Sequence, residues 1–155
     1  MLAQDQKLSP KFWLSEFTRS QEAARAGIRN EPLTSHILNL RRVATLLEQV
    51  RTYLGNKPVG ISSGYRCPEL NKLVKGSANS MHMLGLAADF HCADFGTPRE
   101  ICVALADSHI AFDQLILEGT WVHIGLSAEL GANRREILTA VFQRDQEPTY
   151  LRGLV

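Results

Sequence analysis

The chain has 155 residues, of which 45% are hydrophobic and 21% charged, a composition typical of a single globular domain with a real core. Its formal net charge is +1, so no strong electrostatic field draws it to nucleic acid or to anionic lipid. No hydrophobic run reaches membrane length, and the polar segment 1–7 lacks the features of a secretory signal. We therefore expect one domain over residues 1–155 that is monomeric, binds no nucleic acid and does not insert into a membrane.

The first 56 residues predict helices. Thr18 with Gln21 resembles a helix-capping pair, and Gly27 can end the short helix that follows. A long helix is predicted over residues 34–54, with Gly55 just beyond its end. Its apolar residues recur near helical spacing and indicate packing against a core: Ile37, Leu40, Val43, Leu47, Val50 and Leu54.

Residues 57–155 predict a sheet with two further helices. The predicted strands are 59–63, 86–90, 112–118, 121–126 and 136–142, followed by an irregular tail. The predicted helices are 68–73 and 98–108, each with proline in its first turn. The expected class is therefore α+β, with helices packed on one side of an antiparallel sheet.

Two of the predicted strands each place a polar side chain among small or apolar neighbours. Alternation puts Asp89 and His91 on the face of the first strand opposite its apolar residues, and puts His123 on the equivalent face of the second. His82 precedes Gly85, which permits a sharp turn into the first strand. Two imidazoles and one carboxylate are the usual ligands of a catalytic zinc that keeps a position for water. The first hypothesis is therefore a zinc hydrolase.

Spacing alone leaves alternatives open. A single histidine in a strand is more often a hydrogen-bonded structural residue than a metal ligand, and the spacing matches no stock motif such as HExxH. An unpaired carboxylate such as Asp89 is costly to bury, which favours a metal. His91 shares the face of Asp89 and is an alternative ligand or a hydrogen-bonding partner of one.

A longer pattern runs through these residues. In one order the chain contains Ser62-Ser63-Gly64-Tyr65-Arg66, Asn71, Ser80-Met81-His82, Gly85, Ala88-Asp89 and Trp121-Val122-His123-Ile124. This pattern resembles that of the zinc D-alanyl-D-alanine peptidase family, which includes peptidoglycan carboxypeptidases, dipeptidases and phage endolysins. Segments 17–27 and 133–140 are similar to its small phage-type branch. The resemblance implies that His82, Asp89 and His123 are the zinc ligands.

The resemblance also implies that Arg66 faces the substrate near the metal. A fixed guanidinium there can stabilise a developing oxyanion or hold a substrate carboxylate. Without the resemblance, Arg66 would be read as a surface arginine in a salt bridge. Ser80 is predicted to bind substrate or to orient its loop, with a turn or cap residue as the alternative.

The general base is predicted from the hairpin that leads to His123. Many relatives carry an acidic residue three positions before the last ligand, where this chain has Thr120. A two-residue turn would put Glu118 opposite Trp121 and diagonal to His123, within reach of a water at the metal. A three-residue turn would leave Glu118 in the loop as a solvated side chain. Asp113 is predicted to lie on the opposite face, so Glu118 is the candidate base.

The predicted function is that of a zinc metallopeptidase which hydrolyses peptide bonds in peptidoglycan stem peptides, of the D-alanyl-D-alanine carboxypeptidase or L-alanyl-D-glutamate endopeptidase type. It would be an endolysin-like cell-wall hydrolase made in the cytoplasm without a signal peptide. Release through a holin pore, a dedicated export system or delivery in a virion would bring it to the wall. The alternative is a non-catalytic zinc-containing module that binds cell-wall peptide or glycan, which the lack of an acid at position 120 favours.

The three cysteines, Cys67, Cys92 and Cys102, form no CxxC pair and are irregularly spaced. Reduced thiols are therefore expected rather than a disulfide framework. Cys92 and Cys102 are predicted to be small core residues.

Overall fold

The computed structural model describes residues 4–155, so the first three residues of the polar start lie outside the described residues. A short ribbon is formed by β1 (Lys7–Ser9) and β2 (Phe12–Trp13). The helices are α1 (Leu14–Thr18), α2 (Gln21–Ala26), α3 (Thr34–Tyr53), α4 (Pro68–Leu73) and α5 (Pro98–Ala106), with one 3₁₀ helix at Met81–Leu84. The main sheet contains β3 (Gly60–Ser63), β4 (Ala87–His91), β5 (Gln114–Glu118), β6 (Trp121–Gly125), β7 (Glu136–Val141) and β8 (Thr149–Arg152).

The strands of the main sheet lie in the order β3-β4-β6-β5-β7-β8. Neighbouring strands are antiparallel except β5 and β7, which run parallel. The predicted α+β class is confirmed, but the sheet is antiparallel-rich rather than wholly antiparallel. The reason is that residues 126–135 cross the start of β5 and place β7 on its far edge.

The helices cover one face of the sheet. α3 buries its predicted apolar stripe, and the exposure of Leu40, Val43, Leu47 and Val50 is 0%. The same core cluster contains the apolar residues of β4 and β6 with their flanks: Leu86, Ala88, Phe90, Cys92, Val122, Ile124 and Leu126. This confirms the alternation predicted for both strands. The opposite face of β4 and β6 is left for polar side chains.

Some local predictions need correction. The cap of α2 is Ser20 rather than Thr18, because Oγ of Ser20 accepts a hydrogen bond from Ala23 N at 3.1 Å while Thr18 ends α1. The tail predicted to be irregular contains β8, which pairs antiparallel with β7. The sequence does not reveal β1 and β2, because strands of two or three residues are too short to show alternation.

None of the helices in the described part of the chain is long and apolar enough to cross a bilayer. The three cysteine thiols are free in this structure. Cys92 and Cys102 are buried in the core, and burial raises the pKa of the Cys102 thiol to about 12, so that it stays protonated. The half-buried Cys67 caps α4, because its Sγ accepts a hydrogen bond from Leu70 N at 3.5 Å.

Candidate active site

Three potential metal ligands converge on the open face of the sheet. Nε2 of His82 lies 3.2 Å from Oδ1 of Asp89, and Nδ1 of His123 lies 3.0 Å from the same oxygen. All three side chains are buried, and their donor atoms lie within 4.8 Å of one another. Donors bound tetrahedrally to one zinc at about 2.0–2.1 Å are separated by about 3.3 Å, close to the spacing seen here.

Strand register and one tight turn bring these ligands together. In the pairing of β4 with β6, Asp89 lies directly opposite His123. His82 belongs to the 3₁₀ helix, which Gly85 ends with a φ of 73°, a left-handed conformation that glycine adopts without strain. The turn is also crowded, because a Cβ on Gly85 would lie 2.6 Å from the carbonyl oxygen of His36. Glycine therefore allows the chain to turn from His82 directly into β4.

The hydrogen bonds of His82 indicate that a cation belongs between it and Asp89. Its Nδ1 lies 2.7 Å from the carbonyl oxygen of Gly64, which can only accept, so Nδ1 carries the proton. A neutral His82 then presents the lone pair of Nε2 to Oδ1 of Asp89 at 3.2 Å, and two facing lone pairs repel one another. Burial lowers the pKa of His82, so an extra proton is poorly suited to relieve this repulsion. A metal ion fits, and a carbonyl that holds the outer nitrogen is typical of zinc-binding histidines.

The charge of Asp89 suits the same purpose. Burial acts to raise the pKa of its carboxyl, but the two adjoining histidines lower that pKa overall. Burial acts to lower the pKa of His123, yet its hydrogen bond to Asp89 and the Asp89 charge raise it. An anionic carboxylate between two imidazoles supplies the negative charge that a divalent cation needs in a buried site.

Glu118 reaches this cluster through the hairpin of β5 and β6. The turn has two residues, so that Glu118 lies opposite Trp121 and Ile116 opposite His123, as predicted. Oε1 of Glu118 is 4.0 Å from Nδ1 of His123. Burial raises the pKa of Glu118, and the charge of Asp89 raises it further. A carboxylate whose pKa is raised toward neutrality beside the metal ligands can accept and return a proton.

Arg66 and Ser80 flank the cluster on the side of the 3₁₀ helix. Nη2 of Arg66 donates to Oγ of Ser80 at 3.2 Å, and that oxygen also accepts from His82 N at 3.2 Å. Burial lowers the pKa of Arg66, which the charges of Asp89 and Glu118 oppose. No carboxylate of residues 4–155 lies within 4.0 Å of Arg66, and its buried Nε has no partner there. Arg66 is thus not in a surface salt bridge, and it keeps donors for a ligand.

A cavity of about 780 Å³ lies over the cluster. One wall is formed by Arg66 and the loop 74–81, which includes Lys75 and Ser77. The floor is formed by cavity-facing residues of β5 and β6. The other wall comes from β7, β8 and their connection: Leu138, Phe142, Glu147, Pro148 and Tyr150. The sequence predicted the strand at 136–142 but did not indicate that this strand and the tail after it would form a wall of the cavity.

Two further residues near the cavity have roles that the sequence left unassigned. Asn71 of α4 is 4% exposed, and its Nδ2 donates to the carbonyl oxygen of Ser77 at 2.9 Å, which ties down the loop wall. Trp121 lines the cavity with its ring centroid 6.2 Å from that of Phe142. Its Nε1 is buried without a partner among residues 4–155. The resemblance pattern contained Asn71 and Trp121, but neither spacing nor composition distinguished them from core residues.

Two other candidates stay outside the cluster. His91 is exposed at the end of β4, where it packs against Gly60, and it does not belong to the group of ligands. Asp113 borders the cavity, contrary to the prediction that it lies on the opposite face, because it precedes β5 and does not follow the alternation of that strand. Its carboxylate accepts from Nε and Nη2 of Arg134 at 3.1 and 2.9 Å, which makes it a poor base.

The model of the family described as Peptidase M15 matches residues 10–125, most of the chain. The zinc D-Ala-D-Ala carboxypeptidase of Streptomyces albus G is 36% identical over 62 residues, which make up 40% of this chain and 22% of that protein. The match thus spans about a fifth of the length of that relative. The relative is named for zinc, and His82, Asp89 and His123 supply donors for that metal. With the resemblance to zinc D-Ala-D-Ala peptidases confirmed in this way, the chain belongs to the peptidase M15 family.

Proposed function

We propose that the protein is a zinc metallopeptidase that hydrolyses peptide bonds in peptidoglycan stem peptides. It would act as a D-alanyl-D-alanine carboxypeptidase or as an L-alanyl-D-glutamate endopeptidase, in the manner of an endolysin. The observation that carries the proposal is the presence of Glu118 and Arg66 in the same cavity as the three metal donors. Family membership supports the peptidase reaction, and the name of the Streptomyces relative supports the class of substrate.

The residues of the cavity have different roles in the proposed reaction. His82, Asp89 and His123 would hold zinc, which would supply the Lewis acidity that activates water and polarises a carbonyl near neutral pH. Glu118 takes a proton from the attacking water and gives it to the leaving nitrogen, so that the C–N bond breaks to a carboxylate and an amine. Burial and the charge of Asp89 raise its pKa, which makes the carboxylate a stronger base for the first transfer.

Arg66 and Ser80 act on the substrate side. The guanidinium of Arg66 stabilises the negative charge that develops on the carbonyl oxygen, or holds a substrate carboxylate in bidentate fashion. Oγ of Ser80 accepts from both Arg66 and His82, which fixes their relative position, and its own O–H is free to donate to substrate. The site of action would be the cell wall.

Digestion of purified peptidoglycan tests this function. The protein is incubated with peptidoglycan as isolated, after chelation, and after zinc is restored, and released peptides are identified by mass. We expect release with zinc and none after chelation, and the masses identify the bond that is cut. Failure of the zinc-loaded protein to release any peptide would contradict the proposal. Sedimentation with peptidoglycan in that case would favour the non-catalytic binding module.

A further inference from the structure

The cleft carries unpaired charges of opposite sign on its two walls. On the wall of loop 74–81, Arg66 and Lys75 have no carboxylate within 4.0 Å in the described part of the chain. Across the cavity, Glu147 has no cationic partner within that distance among residues 4–155. The remaining cation on the cavity lining, Arg134, is paired with Asp113. The unpaired charges of the two walls are therefore opposite in sign.

The wall that carries Glu147 is also aromatic. Phe142 and Tyr150 are 52% and 49% exposed, and the ring of Phe142 lies 6.2 Å from that of Trp121. In the sheet, Tyr150 pairs with Ala140 of β7, and β7 lies beside β5, which carries Glu118. Since neighbouring strands are about 4.8 Å apart, Tyr150 lies about 10 Å across the sheet from the row of Glu118. A substrate held at the metal can therefore extend a side chain onto these rings.

Two carboxylates, Glu118 and Glu147, line the cavity beside this wall. Burial raises the pKa of the Tyr150 phenol, and the charges of Glu118, Asp89 and Glu147 raise it further. A substrate carboxylate would be repelled here, whereas an ammonium group would be attracted. An alkyl chain that ends in an ammonium group packs its methylene groups on aromatic faces and places its charge beside a carboxylate.

We propose that Phe142, Tyr150 and Glu147 form a subsite for a substrate residue whose side chain ends in a free amine, as in lysine or another diamino acid. The subsite rests on the proposed peptidase function and gives it a substrate preference. Its residues lie outside the segment 10–125 that matches the family, so the preference is a property of this chain's C-terminal wall.

Two synthetic stem peptides test the subsite. They contain lysine at the same position and differ only in that one carries a free side-chain amine and the other an acetylated amine. For the zinc-loaded protein we expect kcat/KM to be about five- to tenfold higher for the free amine, the usual effect of one charge-assisted contact. Glu147→Gln should bring the two values together. Asp145→Asn, a neighbouring exposed carboxylate that does not line the cavity, should preserve the difference.

A second variant separates the aromatic contribution from that of the carboxylate. Phe142→Leu keeps an apolar side chain but removes the ring, so the ratio of kcat/KM for the free amine to kcat/KM for the acetylated amine should shrink. Equal kcat/KM for both peptides in the unaltered protein would overturn the subsite and leave the peptidase function standing. Cleavage of neither peptide and no release from peptidoglycan would overturn the proposed function itself.

Discussion

The two walls of the cleft differ in how firmly their side chains are held. The side that holds the three metal donors, Glu118, Arg66 and Ser80 is here named the metal wall. On it, Asp89 lies within 3.2 Å of both histidines, and Ser80 joins Arg66 to His82, all of them at least partly buried. On the C-terminal wall, the side chains of Phe142 and Tyr150 are about half exposed, and no hydrogen bond among residues 4–155 holds the Tyr150 hydroxyl. We infer that the firmly held side chains position the catalytic groups, whereas the more exposed wall selects the substrate. Changes on the first wall should therefore alter turnover, and changes on the second should alter stability or substrate preference.

The largest effect should follow from removing the base on the metal wall. Glu118→Gln keeps the size and hydrogen bonding of the side chain but cannot take a proton from water. We expect turnover to fall by roughly 10²–10⁴ with zinc content and melting temperature unchanged. Thr120→Ala, at the other end of the same hairpin turn, is the control and should retain most activity. Near-normal turnover of zinc-loaded Glu118→Gln would show that the base lies elsewhere.

On the C-terminal side, Arg135 should matter for stability and not for turnover. Its guanidinium donates to the carbonyl oxygens of Leu105, Ser108 and Ile110 and stacks on Phe112 with 4.6 Å to the ring centroid. Arg135→Ala should lower the free energy of unfolding by about 2–3 kcal/mol, because buried carbonyl groups lose a charged donor. Urea denaturation measures the loss, with an alanine at the exposed Arg144 as control. If Arg135→Ala kept its free energy of unfolding but lost kcat, the expectation that Arg135 matters for stability and not for turnover would be wrong.

A smaller effect on catalysis should come from the buried amide that ties down the loop wall. Asn71 holds the carbonyl of Ser77, which also accepts from Ser80 N at 3.0 Å, and Ser80 in turn holds Arg66. Asn71→Ala should lower kcat/KM about tenfold through displacement of Arg66, with zinc retained. Gly76→Ala should act similarly, because its Cβ would clash with the side-chain oxygen of Asn71.

The double variant of Asn71 and Gly76 sharpens this prediction. If Gly76→Ala acts by displacing the Asn71 amide, the double variant should be no worse than Asn71→Ala alone. Additive losses would contradict the proposed link. Asn39→Ala is the matched control, because that amide donates to the carbonyl of Leu84 in the 3₁₀ helix at 2.8 Å and does not line the cavity.

The smallest predicted effect concerns pH. The hydrogen bond from Arg134 lowers the pKa of Asp113 below the value of this carboxyl in the unfolded chain. The pair therefore stabilises the folded protein at pH values above the unfolded pKa, and this stabilisation is lost as the pH falls through the folded pKa. Arg134→Ala should cost at most about 1 kcal/mol near neutrality, because the arginine is more than half exposed. In urea titrations the difference from the unaltered protein should begin to shrink near the unfolded pKa of about 4 and should vanish as the pH falls through the lower folded pKa. A difference that persists at low pH would refute this account.

Sequence pattern predicted the metal wall well because that wall depends on local rules. Alternation in β4 and β6, a two-residue hairpin turn and the glycine after the 3₁₀ helix each act within a few residues, and together they placed Asp89, His123 and Glu118. The sequence also grouped His82 with them, because Gly85 permits a turn from His82 into β4, and the resemblance then implied that all three are zinc ligands.

The C-terminal wall could not be predicted, because it depends on contacts between distant segments of the chain. Its position depends on the parallel pairing of β7 with β5, which the connection 126–135 creates and which alternation cannot specify. β8 is an exposed edge strand with no buried face, so its residues Thr149–Arg152 show no hydrophobic pattern. The pairing of Asp113 with Arg134 is likewise a contact between distant segments that spacing does not reveal.

The metal content of two histidine variants tests the central claim most directly. Elemental analysis should find zinc in the purified protein and in His91→Ala, whose exposed ring lies outside the cluster, and should find it largely absent from His123→Ala. Because zinc binds the folded state, adding zinc should also raise the melting temperature of the first two proteins and not of the third. Full zinc content in folded His123→Ala would contradict the assignment of His82, Asp89 and His123 as the metal site.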